Sequence, residues 1–200
     1  MIRSTTGAER ILVAVRHGET DWNADQRFQG QLDIPLNAVG WNQAEALRLR
    51  LSGFGFDSAY SSPLRRAFET ARVIAGDFPI LADARLTEIH HGTWQGKTKL
   101  EIEAQWPDEW ERWSRASRRF APPGGESSMS VRARVEDFLR TLRGANVLCV
   151  SHGVVIQTLL SILISGSRLG EHEYVPTNGS IHTFRFRNDN LYDYHIEEIA

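Results

Sequence analysis

The sequence predicts an α/β fold: a three-layer α/β/α sandwich with a mostly parallel central sheet and a small helical cap. Two short apolar runs, residues 11–15 and 146–150, have the length and composition of buried strands. Segments with helical apolar spacing alternate with them, and this alternation favours a parallel sheet covered by helices. The length of 200 residues suits a single domain, residues 1–200, whose core requires neither disulfides nor metal ions.

The first half of the chain contains one strand and two helices. The strand at residues 11–15 ends at Arg16-His17-Gly18. A helix is predicted over residues 37–53, because asparagine is a good N-cap residue and glycine stops a helix. A second helix is predicted to open at Ser62-Pro63, where proline is tolerated in the first position, and to end at Gly76.

The second half continues the alternation. Thr98-Lys99-Leu100-Glu101 has the pattern of a capping box, and Pro107 breaks or restarts the helix that it opens. An amphipathic helix begins near Ser128. The strand at residues 146–150 ends at Ser151-His152-Gly153, and a very apolar helix follows. Alternating residues around Phe184 then predict two late strands joined by a turn.

Composition restricts the class of partner. The chain has 23 Lys and Arg against 25 Asp and Glu, a formal net charge of −2, so it lacks the basic excess of a nucleic-acid binder. The apolar run at residues 154–164 is too short to span a bilayer, and the N-terminus lacks the apolar stretch of a signal peptide. The only cysteine, Cys149, fits a reducing compartment. We expect a cytoplasmic protein with no nucleic-acid or membrane partner.

Two histidines each follow an apolar strand and precede a glycine. In parallel α/β sheets, ligands bind beyond the carboxyl ends of the strands, where Arg16-His17-Gly18 and Ser151-His152-Gly153 are both predicted to lie. Glycine lets the backbone approach a ligand closely. A single such histidine is more typical of a turn, but two matched cases with an adjacent arginine indicate a site.

Four motifs in chain order carry a family resemblance. They are Arg16-His17-Gly18-Glu19-Thr20 with Asn23; Ser61-Ser62-Pro63-Leu64-Arg65-Arg66-Ala67 with Thr70-Ala71; Glu88 with Gly92, Trp94 and Gly96; and Ser151-His152-Gly153. The chain resembles the histidine phosphatase superfamily, whose members are phosphoglycerate-mutase-like. Residues 151–155 and the tail at 194–198 look more like the bacterial broad-specificity phosphatases of that family.

The resemblance implies a reaction and the residues that perform it. His17 would attack phosphorus to form a phosphohistidine, and Glu88 would protonate the leaving oxygen and then activate water. Cationic or polar groups would hold the phosphoryl oxygens, namely Arg16, Arg65 and His152. Further substrate-binding residues would be Asn23, Gly153, Gln29, Arg118 and Arg119. No metal ion or other cofactor is expected, because fixed cations would stabilise the charge.

Neighbouring residues receive ordinary structural interpretations. Arg66 lies about 100° around the helix from Arg65, so we expect a solvated surface residue. His90 and His91 resemble a metal pair, but neighbours on a strand point to opposite faces, which disfavours shared ligation. Cys149 lacks the arginine six residues later that a cysteine-dependent phosphatase needs, so we expect a buried, inert thiol.

Residues 97–125 are predicted to form a cap insertion, a region that varies with substrate in the family. It contains three tryptophans and several arginines, which have two interpretations. Either the tryptophans pack on the body with the arginines in solvent, or the segment forms an aromatic entrance with arginines that attract anions. Arg118-Arg119 is similar to the arginine pair by which mutases hold a carboxylate.

Three functions therefore remain open. We favour a phosphomonoester hydrolase acting on small phosphorylated metabolites. The alternatives are a cofactor-dependent phosphoglycerate mutase and a catalytically silent module that binds a phosphorylated ligand. The sequence leaves the oligomeric state, monomer or homodimer, undetermined.

Overall fold

The computed structural model describes residues 9–116, 120–164 and 174–199. The strands are β1 (Glu9–Arg16), β2 (Ser58–Ser61), β3 (Leu81–Ala82), β4 (Asn146–Ser151), β5 (Ile181–Arg187) and β6 (Asn190–Glu197). The helices are α1 (Asp21–Ala24), α2 (Ala38–Leu51), α3 (Arg65–Ala75), α4 (Lys99–Gln105), α5 (Pro107–Ala116), α6 (Ser128–Thr141) and α7 (Gly153–Leu163). Within these ranges, no helix is long and apolar enough to cross a membrane.

The sheet has the order β3-β2-β4-β1-β5-β6. The pairs β2–β3, β2–β4 and β1–β4 are parallel, whereas β5 and β6 add an antiparallel edge. The mostly parallel sheet is therefore confirmed. Its two central strands, β1 and β4, are the two apolar runs that the sequence identified.

Helices cover both faces of the sheet. Alternate residues of a strand point to opposite faces, and β1 divides accordingly. Val13 and Val15 lie in a buried cluster with residues of α2 and α3, while Leu12 and Ala14 lie in another with residues of α6 and α7. The three-layer α/β/α architecture is confirmed.

Helix boundaries follow local capping chemistry. Asn37 caps α2 by accepting a hydrogen bond from the Gly40 N–H at 2.9 Å, as expected. The expectation that the next helix opens at Ser62-Pro63 is wrong, because α3 begins at Arg65. Leu64 is extended, with ψ of 134°, and its N–H donates to Ser62 Oγ at 3.3 Å. The segment before α3 is thus a turn held by the serine hydroxyl.

The later elements agree with the sequence patterns. The Thr98–Glu101 capping box is present at the start of α4, and α5 restarts at Pro107. Asn188 and Asp189 join β5 to β6 with φ of 49° and 61°, the left-handed values of a tight type I′ hairpin turn.

The described part of the 97–125 segment packs through aromatic rings. Trp110 lies with its ring centroid 5.8 Å from that of the fully buried Trp94 and 6.2 Å from that of Phe28. Arg112 lies over the Phe120 ring, and Arg115 pairs with Glu111 on the exposed face of α5. These contacts favour the packing interpretation. Arg118 and Arg119 lie outside the described residues, and the cap itself stays a prediction.

Candidate active site

The register of the two central strands brings the two histidines together. Arg16 of β1 is opposite Ser151 of β4, so the next residue on each strand emerges at the same edge of the sheet. The His17 N–H donates to the Ser151 carbonyl at 3.0 Å. The rings of His17 and His152 are 5.1 Å apart between centroids, and both residues are at most 2% exposed.

The hydrogen bonds of His17 select its tautomer. Nδ1 lies 2.6 Å from the carbonyl oxygen of Gly18. A carbonyl oxygen only accepts, so in the neutral ring Nδ1 carries the proton and Nε2 carries the lone pair. Burial lowers the pKa of His17 well below its ordinary value, and the charges of Arg66 and Arg16 lower it further. His17 is therefore a neutral imidazole at neutral pH, with its lone pair on Nε2.

The peptide that follows His17 is held from α2 and α3. A Cβ on Gly18 would overlap the carbonyl oxygen of Gly40 at the start of α2, so only glycine permits this close approach. The Gly18 N–H donates at 3.1 Å to the hydroxyl of the fully buried Thr70. That hydroxyl donates in turn to the Arg66 carbonyl at 2.7 Å. Thr70 thereby connects the backbone of Gly18 to the first turn of α3.

The two adjacent arginines at the start of α3 have environments opposite to those expected, since Arg65 is exposed and Arg66 is buried. The side chain of Arg65 is 57% exposed and pairs with Glu69 at 3.1 Å, one helical turn along the surface. Arg66 is 1% exposed and donates to the carbonyls of Gly30 at 2.7 Å and Leu32 at 2.8 Å. The expectation of a solvated Arg66 is wrong, and the structure does not bring Arg65 into the histidine cluster.

Arg66 belongs electrostatically to the site. Burial lowers its pKa to about 10, against the opposing influence of Glu88 and Asp33. Its charge also lowers the pKa of both His17 and His152. The sequence contained a usable signal, because the buried residues of α3 include Thr70 and Ala71, and the same face one turn earlier is Arg66 and Ala67.

Arg16 reaches the same place from the end of β1. One of its terminal nitrogens donates to the Pro176 carbonyl. A Cβ on Gly153 would lie 3.8 Å from Arg16 Nε and 3.8 Å from Glu88 Oε2, so Gly153 sits between these two side chains at ordinary contact distance. Burial lowers the pKa of Arg16, whereas the charge of Glu88 opposes that change.

His152 is anchored through one ring nitrogen. Its Nε2 is 2.7 Å from the hydroxyl of Ser62, a residue to which the sequence assigned no role. Burial lowers the pKa of His152 well below its ordinary value, and Arg66, His17 and Arg16 add to this effect. His152 is thus neutral at physiological pH and can present a hydrogen bond to a ligand.

Glu88 enters the site from the loop after β3. Its Oε1 accepts from the Ile89 N–H at 2.9 Å, and its Oε2 accepts from the Val154 N–H in the first turn of α7 at 3.3 Å. Gln31 holds the backbone by donating from Nε2 to the Glu88 carbonyl at 3.0 Å. The carboxyl group is consequently directed toward Gly153 and Arg16.

The two amide residues assigned to substrate binding lie around this cluster. Asn23 closes the capping box of α1, and its Oδ1 accepts from the Thr20 hydroxyl at 2.9 Å, which leaves Nδ2 as the group that it can offer. Gln29 is 8% exposed and precedes Gly30, whose carbonyl holds Arg66.

Unpaired nitrogens identify the kind of ligand that the cluster fits. Arg16 Nε, Arg66 Nε and His152 Nδ1 are buried and have no hydrogen-bond partner among the described residues. A buried donor without an acceptor is costly. Two guanidinium groups and an imidazole in one cluster therefore match an anion with several acceptor oxygens.

The other reactive side chains lie elsewhere. His91 is buried against the Phe28 ring, whereas His90 accepts from the Gly92 N–H at 3.0 Å through Nδ1. In the ranges that the structure describes, no three His, Cys, Asp or Glu side chains are grouped to hold a metal ion. Burial raises the pKa of Cys149 to about 12, so this thiol is not a thiolate at neutral pH.

Comparison with known proteins places these residues in a family. The model of the histidine phosphatase superfamily (branch 1) matches residues 12–193. Phosphoserine phosphatase 1 of Hydrogenobacter thermophilus is 36% identical over 159 residues, covering 76% of this chain and 75% of that protein. A 2,3-bisphosphoglycerate-dependent phosphoglycerate mutase of a Methylobacterium species is 36% identical, covering 78% and 81%.

A solved structure shows the same fold. The mycobacterial glucosyl-3-phosphoglycerate phosphatase in complex with VO3 superposes with a TM-score of 0.76 at 34% identity, covering 88% of this chain and 92% of that one. The family match spans every element that contributes to the histidine cluster. The chain is an enzyme of the histidine phosphatase superfamily.

Proposed function

We propose that this protein is a phosphomonoester hydrolase that acts on small phosphorylated metabolites through a phosphohistidine at His17. One observation carries the proposal. The neutral His17, with its lone pair on Nε2, lies in a buried cluster with two arginines, a second histidine and a carboxylate. A nucleophile, fixed cations and a proton-exchanging group are the parts that phosphoryl transfer requires.

In the first step, His17 Nε2 attacks the phosphorus atom. The P–N bond forms while the P–O bond to the leaving group breaks. Arg16, Arg66 and His152 hold the phosphoryl oxygens, and their fixed charges stabilise the transition state without reorganisation. Glu88 donates its proton to the leaving oxygen, which departs as an alcohol.

In the second step, water attacks the phosphohistidine from the side that the alcohol has left. The Glu88 carboxylate takes a proton from the water as the new P–O bond forms. The P–N bond breaks, and Nε2 regains its lone pair. Phosphate leaves, and Glu88 is protonated for the next cycle. The Gly18 carbonyl holds the Nδ1 proton throughout, so the same nitrogen is always the nucleophile.

The catalytic set serves phosphatases and mutases alike, and both occur among the relatives. We favour the hydrolase because the described arginines of α5 are engaged on the surface of that helix, where Arg112 is 3.6 Å from Glu109 and Arg115 pairs with Glu111. A mutase must retain the dephosphorylated substrate and exclude water. A panel of sugar, nucleotide and glycerate monophosphates, with 3-phosphoglycerate isomerisation measured in parallel, separates the two activities.

Rapid-quench trapping tests the mechanism. Wild type mixed with a radiolabelled substrate should yield an acid-labile, base-stable phosphoenzyme within one turnover. His17→Ala should fold normally and lose both the phosphoenzyme and essentially all turnover. His195→Ala removes an exposed histidine on β6 and is the matched control. Substantial turnover by His17→Ala would contradict the mechanism, and absence of phosphate release from every substrate would favour the silent binding module.

A further inference from the structure

The turn before β5 packs against the backbone of Arg16 and His17. Thr177 to Ser180 forms a tight turn in which the Ser180 N–H donates to the Thr177 carbonyl at 3.1 Å, and Gly179 has a φ of 76°. That positive φ is what a type II turn requires at its third residue. The Gly179 N–H donates to the carbonyl of Arg16 at 3.1 Å and to that of His17 at 3.3 Å. The turn is therefore attached to both residues.

Asn178 contributes the side chain of this turn. Its Nδ2 lies 3.0 Å from the His17 carbonyl, 3.3 Å from the Gly18 carbonyl and 3.3 Å from Asn23 Oδ1. All three are acceptors, so the orientation of the amide group is determined: Nδ2 faces the nucleophile loop. A carbonyl oxygen has two lone pairs. The Gly18 oxygen can thus accept from Asn178 and from His17 Nδ1–H together.

The peptide between Gly18 and Glu19 is consequently held at both ends. Asn178 donates to the oxygen of this peptide, which is the Gly18 carbonyl. The N–H of this peptide belongs to Glu19 and donates to Gln43 Oε1 at 2.8 Å. The orientation of this peptide decides which histidine nitrogen is protonated, because its oxygen is the acceptor for Nδ1. If the peptide turned, Nδ1 would lose that acceptor, and the proton could move to Nε2 and block the nucleophile.

We propose that Asn178 is a positioning residue for the nucleophile, which clamps the Gly18 carbonyl and so keeps the His17 proton on Nδ1. This inference rests on the proposed role of His17. Asn178 itself does not touch the phosphoryl group. It acts through His17, in the way that the partner of a metal-binding histidine selects its tautomer.

The decisive experiment measures the tautomer directly. Two-bond ¹H–¹⁵N correlation spectra distinguish Nδ1–H from Nε2–H, and His17→Gln identifies the His17 signals among the seven histidines. Wild type should show Nδ1–H. Asn178→Leu keeps the side-chain volume without the donor and should populate Nε2–H. The value of kcat should fall about 10–100-fold with little change in KM. Thr177→Ala, at the exposed preceding residue, should match wild type.

Asn178→Asp supplies a second, nearly isosteric test that keeps the proposal falsifiable if Asn178→Leu does not fold. The charged and titratable groups around His17 in the described ranges are Arg16, Arg66 and His152, with the Glu88 carboxylate next to Arg16 and Gly153. A new carboxylate near Nδ1–H would stabilise the imidazolium and raise the pKa of His17. His17 would then be protonated at higher pH, so the acid limb of kcat/KM should move to higher pH.

Each result decides one of the two proposals. A folded Asn178→Leu with the wild-type tautomer and kcat, or an Asn178→Asp with an unmoved acid limb, would overturn the positioning role while phosphoenzyme trapping still supported the reaction. A wild type that traps no phosphoenzyme on His17 would overturn the proposed function. The spectra of Asn178→Leu would still show whether the amide holds the tautomer.

Discussion

Separate substitutions of Arg65 and Arg66 should show which of the two arginines contributes to activity. Arg66 is buried and donates to two carbonyls of the 29–32 loop. Its charge also lowers the pKa of both His17 and His152. Removing one preorganised donor to a transition-state charge costs about 10²–10³ in rate, or about 2.7–4 kcal/mol. The surface pair of Arg65 with Glu69 is of the exposed i,i+4 type, worth about 0.3–0.5 kcal/mol. We therefore expect Arg65→Ala to change kcat/KM by no more than about twofold.

The choice of variant at position 66 matters because the side chain also supports the fold. Alanine would leave the Gly30 and Leu32 carbonyls without their donor, and each unsatisfied buried group costs about 1–3 kcal/mol. Lysine keeps the charge but loses the planar fork of donors. Arg66→Lys should stay folded by thermal unfolding and lose at least about tenfold in kcat/KM. Arg66→Gln should lose more, because it loses the charge.

A pH profile distinguishes the charge of Arg66 from its hydrogen bonds. Burial, then Arg66 and Arg16, keep the pKa of His17 low, so the ring stays neutral into acidic solution. Removal of the Arg66 charge raises that pKa, and activity should begin to fall at a higher pH. The acid limb should thus move upward in Arg66→Gln and stay in place in Arg66→Lys. The titration of the substrate is common to all variants. Equal losses in Arg65→Ala and a folded Arg66→Lys would refute this reasoning.

Two further predictions concern the leaving group and metal ions. Glu88→Gln keeps the shape and removes the proton, so phosphoenzyme formation should slow about 10²–10⁴-fold with a sugar phosphate. It should slow much less with p-nitrophenyl phosphate, whose leaving group needs no proton; equal burst-rate losses would mean that Glu88 is not the acid. EDTA should leave the rate unchanged and vanadate should inhibit, whereas activity restored by zinc or magnesium after chelation would contradict metal independence.

Most of the fold was predictable because its signals are local. The strands β1 and β4 are apolar runs, and Asn37 and Thr98 cap helices through their own side chains. The β5–β6 turn is indicated by three consecutive polar residues, 188–190. The meeting of His17 and His152 was also predictable, since parallel neighbours end at one edge of the sheet. The start of α3 was not. A serine hydroxyl that accepts from the Leu64 N–H delays the helix by two residues beyond Pro63.

The error over Arg65 and Arg66 shows what local patterns miss. A helical repeat identifies a stripe of residues that face inward, but it does not say that a charged residue belongs to that stripe. Burial of a guanidinium is favourable only where other elements provide acceptors, and the carbonyls of Gly30 and Leu32 come from a loop more than thirty residues away in the chain.

Asn178 was not predicted for the same reason, since the oxygens that accept from it, those of His17, Gly18 and Asn23, lie 155 to 161 residues away in sequence. Both side chains are polar groups whose burial becomes understandable only when distant backbone oxygens are assembled around them. Asn178 donates its hydrogen bonds to the backbone on either side of His17. Its substitution should therefore change the reaction rate more than the free energy of unfolding. The tautomer of His17 therefore reports on the proposed role of Asn178 more directly than an unfolding temperature does.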